Sequence, residues 1–198
     1  IFNNLSFQIR KSICEEQHGF FQGRSTVTNL LSVTQFLAGS IDEGSQTDVI
    51  YIDFAKAFDR MDHNILLCKL NSLGLSHSLL NLFRSYLSDR KQTVCCCGYT
   101  SGYVFPTSGV PQGSVLGPLL FNVFINDIVS CLSVKYLLYA DDLKIFTKVN
   151  TIADCINLQQ NLEKVLEWCN LNKLPVNISK CCLIHCLTFS VRTYLIES

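Results

Sequence analysis

The chain has no net charge to offer a polyanion, since 16 lysines and arginines balance 16 aspartates and glutamates over 198 residues. A broad basic field, the usual footprint of a nucleic-acid binder, is missing, and charge alone argues against such a partner. Long apolar runs are missing too. A membrane-spanning helix needs about 18 apolar residues in sequence, and the best stretch, VLGPLLFNVFINDIV, is broken by Asn122, Asn126 and Asp127. No membrane partner is expected. The opening IFNNLSFQIRKS carries no charged-then-apolar leader, so the chain is read as intracellular and as starting inside a longer protein. No repeat, linker or low-complexity tract divides it, which points to one compact unit.

What is present is a core-forming composition, 48% hydrophobic, and eleven cysteines. That number is odd, and without a secretory leader the thiols are expected to be reduced. Within CCLIHC, the residues Cys181, Cys182, His185 and Cys186 are soft zinc-ligand types. On a strand, Cys181 and His185 point one way and Cys182 and Cys186 the other, so four ligands cannot converge. On a helix only Cys182, His185 and Cys186 share a face. The run at 95–97 alternates likewise, and free cysteine packs as a small hydrophobe.

A helix beginning at Ser25 places Val27, Leu30, Leu31, Thr34, Leu37, Ala38 and Ile41 on one stripe and ends at Gly44. DVIYIDF reads as a buried strand. Helices fit 64–73 and 78–87, followed by extended segments at 92–97 and 103–105. After the SGVPQG loop come a helix over 115–129, strands over 134–140 and 143–149, a helix over 152–168 and a last strand near 181–187. With the insertion between Met61 and Phe105 set aside, the order is strand, helix, strand, strand, helix, strand. That is the split βαβ, ferredoxin-like arrangement, an α+β fold in which the first and third strands are neighbours.

Two aspartates stand together in YADDLKIF. An Asp pair between strands can simply mark a hairpin turn. In the expected topology, however, Asp53 at the end of DVIYIDF comes beside Asp141 and Asp142. Three close carboxylates raise one another's pKa values unless cations hold them ionised. They suit two divalent cations about 4 Å apart, the arrangement used in phosphoryl transfer, and hard ions such as Mg²⁺ prefer oxygen ligands of this kind.

Four motifs, QHGFFQGRST, DVIYIDFAKAFDRMDH, SGVPQGSVLGPLLFNVFINDI and YADD, occur in this order, with LNKLPVNISKC as a weaker fifth. Together they resemble reverse transcriptases of non-LTR (LINE-type, jockey-like) retrotransposons. The resemblance implies a polymerase palm with partial fingers and no thumb: residues 1–47 as fingers and connecting helix, 48–198 as palm. It implies an RNA-directed DNA polymerase with two Mg²⁺ ions (or Mn²⁺), acting on an RNA template, a DNA primer and dNTP in the nucleus and cytoplasm, alongside the rest of a retrotransposon polyprotein. By resemblance, Asp53, Asp141 and Asp142 are the catalytic metal ligands, completed by the Phe54 carbonyl. Phe58, Gln112, Gly113 and Lys180 are implied at the nucleotide and Tyr139 at the primer end, while Arg24 is read as structural.

Blander readings stand beside these. Phe58 is also a plausible core residue of a short helix, and Gln112 an ordinary loop residue before a helix. LPVNIS is an imperfect version of the motif preceding Lys180. A catalytically inactive relic or an RNA-binding module shares the topology, although the stacking aromatics of such modules are not apparent here.

Overall fold

The computed structural model describes residues 9–186 and Tyr194. The chain divides into two compact units, one containing Lys56–Phe124 and the other containing Ile13–Ala55 and the chain from Ile125 onward.

The unit that contains residue 53 is built on a four-stranded antiparallel sheet. Its strands are β1 (Gln46–Ile52), β4 (Lys135–Tyr139), β5 (Asp142–Val149) and β6 (Cys182–Cys186), in the spatial order β4-β5-β1-β6. This is the α+β arrangement expected from the sequence, with the first and third strands of the βαββαβ series adjacent. β1 is flanked by a strand on each edge and is buried along almost its whole length, its apolar part being the run Val49–Ile52. Its register sets Ile52 against Leu143 of β5 and Tyr51 against Cys182 of β6.

Helix α1 (Thr26–Asp42) starts at Ser25, whose hydroxyl accepts from the Thr28 N–H while the Thr28 hydroxyl accepts from the Ser25 N–H. Its buried face is not the apolar stripe expected from the sequence. Asn29, Val33 and Ser40 are buried, whereas Val27, Leu30, Leu31 and Ile41 are each at least half exposed. Val33 packs with Val49, Leu137 and Phe146, joined by Phe36, Leu37 and Tyr51. Polar bonds help select this face: Asn29 Nδ2 donates to the Leu138 carbonyl, and the buried Lys144 ammonium donates to Asn29 Oδ1. A buried ammonium without such a partner would cost more than an apolar contact returns.

The opposite face of the sheet is covered by the helix Ile152–Asn172, longer than expected by four residues. Thr151 and Asp154 form its capping box, and Lys173 ends it in the left-handed region at φ +56°. Leu158, Leu162 and Val165 are fully buried along one stripe. Asp48, wholly buried on β1, accepts from Gln46 Nε2 at 2.8 Å, His185 Nδ1 at 2.8 Å and the Tyr194 hydroxyl at 2.6 Å. His185 lies on a strand, so neighbouring Cys186 and Cys182 face the other way. All eleven cysteines are free thiols.

The other unit holds α2 (Ala57–Arg60), α3 (His63–Ser72), α4 (His77–Leu87), a small hairpin of β2 (Cys95–Cys96) and β3 (Tyr99–Thr100), and α5, which spans Gly117–Ile125 and leaves this unit after Phe124. Asp62 caps α3 by accepting from Asn64 N–H and Ile65 N–H. The extended segment expected at 103–105 contributes one bridge, Gln92 to Val104. The helix expected to run to residue 129 tightens after Ile125 into a 3₁₀ turn, Asn126–Cys131.

Candidate active site

β1 ends one residue before Asp53, and the register that pairs Ile52 with Leu143 brings Asp53 level with Asp142. Both line a cleft of about 360 Å³ with Tyr51, Ile52, Leu143, Lys180 and Cys182. Asp53 is held through its backbone, its carbonyl accepting from the Asn177 N–H at 2.7 Å, while the neighbouring Ala55 N–H donates to the Pro175 carbonyl. Those two bonds form the Phe54–Val176 bridge and leave the Phe54 carbonyl out. The Phe54 ring is core, 6.4 Å from the Trp168 ring.

The Asp53 side chain has an unusual surrounding. Its Oδ2 is buried and accepts no hydrogen bond. Lys180 Nζ lies 3.7 Å from that oxygen, too far for a hydrogen bond but near enough for attraction, from an ammonium that is 67% exposed. An orphaned carboxylate oxygen beside a loosely held cation is an acceptor with capacity to spare.

Asp141 and Asp142 are brought in by the β4–β5 hairpin. Tyr139 pairs with Asp142, so the turn consists of Ala140 and Asp141 alone. Tyr139 and Asp142 are directly opposed and share a face of the sheet. Burial pushes the Asp141 carboxyl above its ordinary pKa; the charges of Asp142 and Asp53 push the same way, and its own backbone N–H and Lys180 oppose them. Asp141 thus feels both other carboxylates. Among the described residues, no three His, Cys, Asp or Glu side chains already converge as a metal cage. The donor chemistry fits hard divalent cations, with three carboxylates and one orphaned oxygen, but the ligands are not drawn together.

The remaining expected residues belong to the other unit. Phe58, on the short α2, is half-buried and stacked on Phe121 with ring centroids 4.4 Å apart and planes 27° apart. Gln112 Nε2 donates to Asp59 Oδ1 at 2.9 Å, and Gly113 adopts φ +77°. The SGVPQG loop is fastened to the segment around α2 by a set of bonds the sequence did not reveal. Gly109 N–H donates to the Met61 carbonyl, Val110 N–H to the Phe58 carbonyl and the Ser108 hydroxyl to the Asp59 carbonyl. His63 and Arg90 donate to the Gly109 carbonyl.

Residues 17 and 19 were also missed as site residues, although their motif was noticed. Gln17 and Gly19 lie against the Ala140 turn, 123 positions away in sequence for Gln17. No local pattern signals a contact of that range. Arg24 is structural as expected, donating to the carbonyls of Cys14 and Gln17.

Comparison with known proteins gives a consistent result. Residues 2–194 match the family described as reverse transcriptase (RNA-dependent DNA polymerase). The RNA-directed DNA polymerase from mobile element jockey of Drosophila funebris is 33% identical over 185 residues, covering 89% of this chain and 20% of that protein. The probable RNA-directed DNA polymerase from transposon BS of Drosophila melanogaster is 32% identical over 184 residues, covering 86% of this chain and 20% of that protein. The chain therefore spans about a fifth of the length of these relatives. Among solved structures, apo telomerase from Candida tropicalis truncated from its C-terminal domain superposes with a TM-score of 0.72 at 16% identity, covering 96% of this chain and 41% of that one. At that identity the likeness concerns the fold.

Proposed function

The chain belongs to the reverse transcriptase (RNA-dependent DNA polymerase) family, and on that premise we propose that it is the palm, with part of the fingers in residues 1–47, of a retrotransposon polymerase that extends a DNA primer on an RNA template. The observation that carries this proposal is the shared cleft of Asp53 and Asp142, with Asp53 Oδ2 left without a hydrogen bond. When bound, a pair of Mg²⁺ ions, or Mn²⁺, supplies activation of the primer 3′-hydroxyl and neutralisation of the pyrophosphate leaving group. Asp53, Asp141 and Asp142 would hold that pair, joined by the Phe54 carbonyl.

The chain's own groups have separate tasks. Lys180, exposed at its ammonium, screens Asp53 and reaches the triphosphate. Tyr139, on the Asp142 face, orients the primer end. Phe58 excludes a ribose 2′-hydroxyl, and Gln112 with Gly113 presents a close-approach surface to the nucleotide and its template base. The bond from Gln112 to Asp59 keeps that amide oriented. The partners are RNA template, DNA primer, dNTP and the remainder of a retrotransposon polyprotein, in the nucleus and cytoplasm.

Mn²⁺ titration of the chain and of Asp53→Asn tests this. Binding by the parent that is lost in the variant is the expected result. Equal binding by both, or none by the parent, overturns the metal assignment and favours an inactive relic.

A further inference from the structure

We propose that Gln17 is a positioning residue that clips the Ala140–Asp141 turn and thereby orients the carboxylates of Asp141, in the turn, and Asp142, which opens β5. The inference rests on the assignment of Asp141 and Asp142 as metal-holding groups.

The two turn residues lie outside the β4–β5 ladder, and Ala140 is buried. Its N–H and carbonyl need partners from elsewhere, because a buried unpaired backbone group is costly. Gln17, only 1% exposed, supplies both: its Oε1 accepts from the Ala140 N–H at 2.9 Å and its Nε2 donates to the Ala140 carbonyl at 3.2 Å. A primary amide carries donor and acceptor at one end and can serve both groups of a single residue. Oε1 also accepts from Gly19 N–H at 2.8 Å, so the clip is itself held.

The surrounding backbone closes on the turn. Gln17 bridges to Leu138 in parallel, with His18 N–H donating to the Leu138 carbonyl and Leu138 N–H to the Glu16 carbonyl. A Cβ on Gly19 would stand 2.2 Å from the Ala140 nitrogen, so no side chain can intervene. Arg24 donates to the Gln17 carbonyl at 2.7 Å.

The gripped residue is strained. Ala140 sits at φ +55°, a region that residues with a Cβ adopt at a cost. Such strain persists where the surroundings over-determine it, and it gathers at functional sites. Here the over-determination comes from Gln17 and Gly19, and the strained residue adjoins Asp141. A glutamine present only to fill space would need neither amide end, and methionine would replace it.

The test uses the 198-residue chain with Gln17→Met, which keeps length and removes the amide, and Gln17→Glu, which keeps the acceptor and loses the donor. Amide hydrogen exchange, thermal melting and Mn²⁺ titration are measured on each. The expected result is faster exchange confined to Ala140, Asp141 and Asp142, with Mn²⁺ affinity down about 10–100-fold in Gln17→Met and less in Gln17→Glu. Exchange at Ile50 and Ile145 should match the parent. Parent-like exchange at the turn, or acceleration spread evenly over the sheet, overturns the proposal, as does unfolding of both variants. Mn²⁺ binding lost in Asp53→Asn but intact in Gln17→Met removes the clip alone. A parent that binds no Mn²⁺ removes the metal assignment and the clip with it.

Discussion

Lys180 Nζ lies 3.7 Å from Asp53 Oδ2, an oxygen that is buried and accepts no hydrogen bond. An exposed pair of this length contributes about 0–1 kcal/mol to stability. Lys180→Ala should therefore melt close to the parent while binding Mn²⁺ more tightly, since a competing cation has gone. In a chain carrying its flanking coding sequence, the same variant should raise KM for dNTP more than it lowers kcat. Weaker Mn²⁺ binding would show Lys180 supporting the carboxylates in some other way.

Asp141 gives a pH signature. Its folded pKa is raised, chiefly by burial and then by the charges of Asp142 and Asp53. The native state then binds the proton more tightly than the unfolded chain, so this group lowers stability as pH rises above the ordinary carboxylate range. In chelator, Asp141→Asn should melt near the parent at pH 4 and above it at pH 7, the gap widening between. Saturating Mn²⁺ should reverse the order at pH 7 by stabilising the parent alone. A constant gap across that pH range would mean that Asp141 does not carry the destabilising charge.

Several elements were plain in the sequence because their signals are local. β1 carries the apolar run Val49–Ile52, Ser25 is a capping residue, and the Asp pair marks the hairpin, although its turn is Ala140–Asp141 and Asp142 already belongs to β5. The adjacency of Asp53 and Asp142 followed from topology, because the order of elements limits which strands are neighbours. The α1 stripe was misjudged for a different reason. Apolar periodicity reports which face is apolar, but Asn29 and Lys144 draw the opposite face onto the sheet through bonds between positions 115 apart. The Gln17 clip and the Asp59–Gln112 bond are invisible for the same reason: each joins segments that no spacing rule relates.

Asp48 is a stability determinant distinct from the cleft. Asp48→Ala would leave the donors of Gln46, His185 and Tyr194 without their common acceptor. The expected loss is about 2–5 kcal/mol by urea denaturation, with smaller losses for His185→Ala or Tyr194→Phe, which each remove one bond. A loss below about 1 kcal/mol would mean that solvent replaces Asp48 readily.

Gly109 is fixed by backbone contact. It adopts φ +73°, and an added Cβ would stand 2.5 Å from the Asp59 carbonyl oxygen. Gly109→Ala should cost about 1–3 kcal/mol and disturb the loop that carries Gln112. Protection of the Gly109 and Val110 amides, which donate to Met61 and Phe58, is the measurement. Unchanged exchange there would show that the loop accommodates the methyl group.

Phe58 is stacked on Phe121, so its ring has a packing role whatever else it does. Truncation must therefore be separated from exclusion of a sugar hydroxyl. Phe58→Val removes the stack and about 1–3 kcal/mol of stability, which by itself would lower dNTP and rNTP incorporation together. If the ring also blocks a 2′-hydroxyl, the wild-type penalty against ribose is an unpaired buried hydroxyl, about 1–3 kcal/mol, or one to two decades of discrimination. Phe121→Leu supplies the control, since it removes the stacking partner and leaves the Phe58 ring in place. In a chain carrying its flanking sequence, Phe58→Val should raise the rNTP-to-dNTP incorporation ratio by about 10–100-fold. Phe121→Leu should cost similar stability and shift that ratio much less. Equal shifts in the two variants would make the preference a consequence of loosened packing, and no shift in either would leave Phe58 as core.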